Sequence, residues 1–196
     1  MEYKSPTAKG ITRISKASNR QFTNFLLEDL RIELLKKEDE ETIVTMIQKK
    51  LNDIEEAGSI LAATIRRLEN FFKIYSQEGS VYFVIKTIPT QSIVGGAGLG
   101  PFAGLPVTEG LAEIREMVID DSYENDEVRK YLIENCIEEA RNLGYSCIYF
   151  ETTTHMSDIK KLIQKLGFNP VTEKNKSYSK NDLAQIPCYF KLINQK

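Results

Sequence analysis

Glu113-Ile-Arg-Glu-Met-Val-Ile119 reads as a strand, and it runs through an acid-rich turn into a helix from Asn125 to Leu143. Within that helix Val128, Leu132, Cys136, Ala140 and Leu143 recur on one face, and Gly144 stands where a helix stops. A second strand, Cys147 to Thr152, follows after a short turn, then a helix from Ser157 to Leu166 with Ile159, Leu162, Ile163 and Leu166 inward, ended by Gly167. Strand, helix, strand, helix is the signature of a layered α/β core.

Upstream, Leu30 to Leu35 reads as a strand, and Ile43, Ile47, Leu51 and Ile54 give a helix closed by Gly58. Leu61, Ile65, Leu68, Phe72 and Tyr75 predict one further amphipathic helix. Val81 to Thr87 and Ser92 to Gly98 are β-rich runs joined around Pro89. Phe168 to Val171 and Pro187 to Ile193 complete the strands, with a polar loop between them. The glycines from Gly95 to Gly104 lack a following helix and a Gly-Lys-Ser/Thr end, so they predict a strand with a bulge or turn and no phosphate loop.

With 196 residues, one domain is expected at 29–196, preceded by an arm at 1–28. Lys4, Lys9, Arg13, Lys16 and Arg20 carry the arm's charge without an acid among them, and Phe22, Phe25 and Leu26 suit a short docking helix. Lys and Arg number 26 against 28 Asp and Glu, a balance that points to no nucleic-acid partner. The absence of an apolar run long enough for a bilayer points to no membrane association and to a cytoplasmic location. Cys136, Cys147 and Cys188 lie far apart among apolar residues and read as reduced core thiols, while a single histidine, His155, argues against a metal centre.

That order of elements resembles the GNAT superfamily of N-acetyltransferases. The residues that carry the likeness are the strand ending at Ile119, Ala140-Arg-Asn-Leu-Gly-Tyr145, Tyr149-Phe-Glu-Thr-Thr153 and Lys165-Leu-Gly-Phe168. A bacterial subgroup is similar in placing Gly95-Gly-Ala-Gly98 before these and a late cysteine, here Cys188, at the last strand. The resemblance implies a mixed, mostly antiparallel, splayed sheet flanked by helices. It also implies acetyl-CoA or another acyl-CoA as co-substrate, an amine as acceptor, and dimers as a common assembly.

The resemblance further implies that the strand backbone at Met117, Val118 and Ile119 pairs with the pantetheine amides, chiefly the Val118 N–H polarising the acyl carbonyl. Glu113 matches the strand glutamate that serves some members as general base, and Arg115 is its alternative, structural partner. The family's pyrophosphate turn aligns with Glu124, Asn125, Asp126, Glu127, Val128 and Arg129, and every expected glycine, amide or basic group there is replaced. Glycines let backbone approach phosphate, and a helix N-terminus attracts anions.

Here Asp120, Asp121, Glu124, Asp126 and Glu127 face that position instead. Like charges at about 4 Å repel by roughly 1 kcal/mol in water and more where water is scarce. The same residues suit a self-capped helix, with Asn125 as N-cap and Asp126 and Glu127 in the first turn. In the family's Leu-Tyr-x-x-x-Gly-Phe pattern the tyrosine donates a proton to the leaving thiolate; Ile163 stands in its place, and Ile159 replaces a small residue. Two functions follow: an acyltransferase acting on an amine, or a binding or regulatory module that keeps the fold without catalysis.

Overall fold

The computed structural model describes residues 27–52, 59–151, 157–171 and 188–193. Within them one seven-stranded sheet is assembled from β1 (Leu30–Leu34), β2 (Val81–Thr87), β3 (Ile93–Pro101), β4 (Leu111–Ile119), β5 (Cys147–Glu151), β6 (Asn169–Pro170) and β7 (Cys188–Leu192). Their spatial order is β1-β2-β3-β4-β5-β7-β6. Every neighbour is antiparallel except β4 and β5, which run parallel because a helix returns the chain between them.

The helices are α1 (Glu40–Asn52), α2 (Ser59–Leu68), α3 (Phe71–Tyr75), α4 (Asp126–Asn142) and α5 (Ser157–Lys165). Helix α4 buries Val128, Leu132, Ile133, Cys136, Ile137 and Ala140. A buried aliphatic side chain contributes roughly 1.5–3 kcal/mol, so this stripe outweighs the helix's indifferent intrinsic propensity. With α5 it covers one face of the sheet, joining Phe83, Ile85, Leu99, Ile114 and Phe150 in the main cluster. Helices α1 and α3 cover the other face, where Ile43, Ile47, Phe71, Tyr75, Tyr82, Val84 and Val118 pack together.

The single helix expected from Leu61 to Tyr75 is broken. Asn70 leaves helical geometry at φ −136°, ψ 39°, and the chain restarts as α3. The break turns Phe71 inward, fully buried, and leaves Phe72 only half-buried, the reverse of what an unbroken helical face implies. Ile54 and Gly58, the arm to residue 26, His155 and the polar loop at 172–187 lie outside the described residues.

Candidate functional site

Strand β4 changes partners along its length. Among the described residues its parallel pairing with β5 runs from Leu111–Cys147 to Ile114–Phe150, while β3 follows it to Ile119. Between the pairs Gly98–Arg115 and Gly96–Val118, Glu116 and Met117 together oppose Ala97. Glu116 sits at φ 47°, left-handed and unusual for a residue with a side chain. This is a β-bulge, and it falls past the last of those pairs with β5.

The bulge decides which peptide groups face β3 and which face the β5 side. Asp120 N–H donates to the Val94 carbonyl at 2.8 Å, and Val118 pairs with Gly96. By the alternation of an antiparallel ladder, the polar groups of Val118 belong to β3 and those of Ile119 point away from it, toward the β5 side. The Val118 N–H, expected to polarise an acyl carbonyl, is thus directed to β3, and the neighbouring Ile119 peptide is the one turned to the β5 side. Val118 and Ile119 are themselves buried, and Met117 packs partly buried on the main cluster.

Beneath the bulge lies a polar cluster absent from the sequence reading. The Glu116 side chain has no exposed surface. Its carboxylate accepts from Arg67 Nε at 2.6 Å and lies 2.5 Å from Arg67 Nη2. It also accepts from the Tyr75 hydroxyl, and from the Thr64 hydroxyl at 3.5 Å. The Tyr82 hydroxyl donates to the Glu116 carbonyl at 2.9 Å. Burial, with the Glu116 charge beside it, holds the Tyr75 phenol well above its ordinary value, so it stays a donor. A signal was present: Ala112, Ile114, Glu116 and Val118 share one strand parity, and a carboxylate on an apolar face requires either a partner or a bulge.

Glu113 is held differently from a bare base. Arg115 Nη1 donates to it at 2.9 Å, the Ala103 N–H reaches it at 3.5 Å, and its side chain is 14% exposed. Burial would lower the Arg115 guanidinium, but Tyr75, Glu116 and Glu113 around it raise it above its ordinary value. Across the sheet Glu113 lies between Gly100 and Tyr149, and Tyr149 stacks on Phe102 with centroids 4.2 Å apart. Three glycines of β3 clear this face. A Cβ on Gly96 would sit 2.4 Å from the Tyr82 ring, on Gly98 2.2 Å from the Tyr75 hydroxyl, and on Gly100 2.3 Å from Arg115.

At the N-terminus of α4, Asn125 Oδ1 accepts from the N–H groups of Glu127 and Val128, both at 2.9 Å. Val128 is otherwise a core residue. The acids of the turn are met by two cations. Arg129 bonds Glu124 at 2.7 Å and Asp126 at 3.1 Å. Lys50, from the end of α1, bonds Asp121 at 2.5 Å and Glu124 at 3.0 Å. Although its partial burial works the other way, these hydrogen bonds from Arg129 and Lys50 hold the Glu124 carboxyl below its ordinary value. Lys50 is 74 residues from Glu124 in the chain, so no local pattern announces it.

On α5, Ile163 is fully buried and Ile159 and Leu162 nearly so. Ile163 itself supplies no proton donor at this position. Cys136 and Cys147 are buried, and burial pushes both thiols up, Cys147 to about 11. Among the described residues no three His, Cys, Asp or Glu gather closely enough to hold a metal ion, and no helix is long and apolar enough to cross a membrane.

A family model described as the acetyltransferase (GNAT) family matches residues 31–168. The uncharacterised N-acetyltransferase YjgM of Escherichia coli (strain K12) is 24% identical over 128 residues, 65% of this chain and 71% of that protein. An acetyltransferase of Staphylococcus aureus Mu50 superposes with a TM-score of 0.66 at 19% identity, covering 84% of this chain and 99% of the other. YncA of Salmonella typhimurium, solved with its cofactor acetyl-CoA, gives 0.65 at 14% identity, covering 86% and 96%.

Proposed function

The chain belongs to the acetyltransferase (GNAT) family, and on that premise we propose that it transfers an acyl group, acetyl foremost, from coenzyme A to a primary amine. The observation that carries this reading is the bulge of β4 past Ile114, its last partner of β5 among the described residues, with the Ile119 peptide directed toward the β5 side. A pantetheine arm seated there meets strand peptide groups, and its thioester carbonyl meets an N–H that needs no reorganisation as charge develops on the oxygen. The neutral amine attacks the thioester carbon, the C–S bond breaks, and the amine's proton passes to a base. Glu113 is the candidate for that base, once the acceptor draws it from Arg115. Thiolate departs to water, since Ile163 offers no proton.

A second reading, a non-catalytic binding or regulatory module, draws on the α4 turn. There Asn125 occupies two of the N–H groups that a phosphate would use, and Glu124 already holds both nearby cations. One experiment separates the two. Thermal unfolding is followed with acetyl-CoA added, where a ligand at a hundred times its Kd stabilises by about 2.7 kcal/mol, and release of free thiol is then measured over a panel of primary amines. Stabilisation with amine-dependent thiol release supports the acyltransferase. No stabilisation at millimolar acetyl-CoA overturns it in favour of the module.

A further inference from the structure

We propose that Glu116 is a positioning residue: its carboxylate, clamped by Arg67 of α2 and Tyr75 of α3, holds β4 in the bulge that turns the Ile119 peptide away from β3. The link to catalysis rests on the acyltransferase reading; the mechanical claim stands apart from it.

Three features converge on this one residue. Its backbone adopts φ 47°, a conformation that glycine takes freely and a residue with a Cβ does not. Its side chain is entirely withdrawn from water and gripped by two nitrogens of Arg67 and by the Tyr75 and Thr64 hydroxyls. Its carbonyl, freed from the ladder by the bulge, is taken by the Tyr82 hydroxyl. One residue is thus fixed from α2, α3 and β2 together. An ion pair serving stability alone has no need of a strained backbone, and glycine would make the bulge without a buried charge.

The position of the strain supplies the reason for it. The bulge lies two residues past Ile114, the last residue of β4 that pairs with β5 among the described residues. It sets the register of the peptide groups that follow. Without the clamp, β4 can relax toward a regular ladder with β3, and one residue of slip exchanges which peptides face β3 and which face the β5 side. The cleared space over Gly98, into which the Tyr75 hydroxyl projects, is part of the same device.

The test uses the full chain and three variants. Glu116→Gly keeps the φ value accessible and removes the clamp; Glu116→Gln keeps the shape and the acceptor oxygen; Arg67→Met releases the clamp from the helix side. Amide hydrogen exchange is measured by residue, alongside the Kd for acetyl-CoA. In Glu116→Gly, exchange at Met117–Ile119 is expected to rise at least tenfold while β1 and β2 change less than twofold, and Glu116→Gln is expected to stay within about threefold of the parent. The acetyl-CoA Kd is expected to rise at least tenfold in Glu116→Gly and to be largely rescued in Glu116→Gln. Unchanged exchange at 117–119, or a uniform rise across the sheet, overturns the proposal. Should Glu116→Gly fail to fold, Arg67→Met must show the same local pattern or the proposal falls. A parent protein that binds no acetyl-CoA overturns the acyltransferase reading, and the exchange pattern still decides the role of the clamp.

Discussion

Asn125 and Glu124 stand side by side and do opposite things to an incoming anion. Asn125 satisfies the first N–H groups of α4 from within the chain. Its replacement by alanine is expected to cost about 1 kcal/mol, the usual loss of an N-cap, read as a lower denaturant midpoint with an unchanged m value. Glu124 neutralises Lys50 and Arg129. Glu124→Gln takes one partner from each, leaving Lys50 with Asp121 and Arg129 with Asp126, and acetyl-CoA is expected to bind about two- to fivefold more tightly by calorimetry, since a part-exposed ion pair contributes about 1 kcal/mol or less. Weaker binding would show that Glu124 supports the turn more than it opposes the ligand. The capping role was legible in the Asn-Asp-Glu order alone, because a cap is a local interaction; the contact with Lys50 was not.

At the scale of elements, β3 is shaped by what its glycines leave room for. Gly98→Ala places a methyl within 2.2 Å of the Tyr75 hydroxyl and is expected to destabilise by about 1–3 kcal/mol through overpacking. Gly104, whose Cβ would meet nothing but whose φ is 73°, offers a control in which strain acts without a clash. The turn that opens α1 is tied to β2 by a buried pair, Lys86 to Asp39 at 2.7 Å. Asp39→Ala leaves Lys86, among the described residues, with Glu33 at 3.5 Å, and about 3–5 kcal/mol of stability is expected to be lost in chemical denaturation. The β-rich runs located β2 at its observed bounds and β3 short of its end at Pro101. The broken helix was not legible, because Asn70 is tolerated within a helix and the break follows from where Phe71 must go.

At the scale of the molecule, its charges set a pH window. A hydrogen bond from Lys37 lowers the Glu40 carboxyl, one from Lys50 lowers Asp121, and Glu124 is lowered by Arg129 and Lys50 against its own burial. A depressed carboxyl contributes stability that is complete above its ordinary value, 4.5 for Glu40 and Glu124 and 3.8 for Asp121, and is lost as pH falls through the folded value. Lys50 is raised from 10.5, chiefly by Asp121, so its contribution persists until pH climbs beyond that point. The thermal midpoint is therefore expected to be flat near neutrality and to fall below about pH 4.5. The acid limb is expected to shrink in high salt, which screens the exposed pairs.

The sequence by itself determined the order of the strands, the buried faces of α4 and α5, the cap of α4 and the resemblance that names the family, because each of these is carried by residues close in the chain or by their period. Only the tertiary structure decided that Lys50 reaches the α4 turn, that Arg67 and Tyr75 hold Glu116, and that Ile119 and not Val118 presents its peptide toward the β5 side. These depend on cross-strand register and on helices packed from distant segments. A single bulge at Glu116 changes that register, and nothing local to Glu116 announces the arginine and tyrosine that hold it.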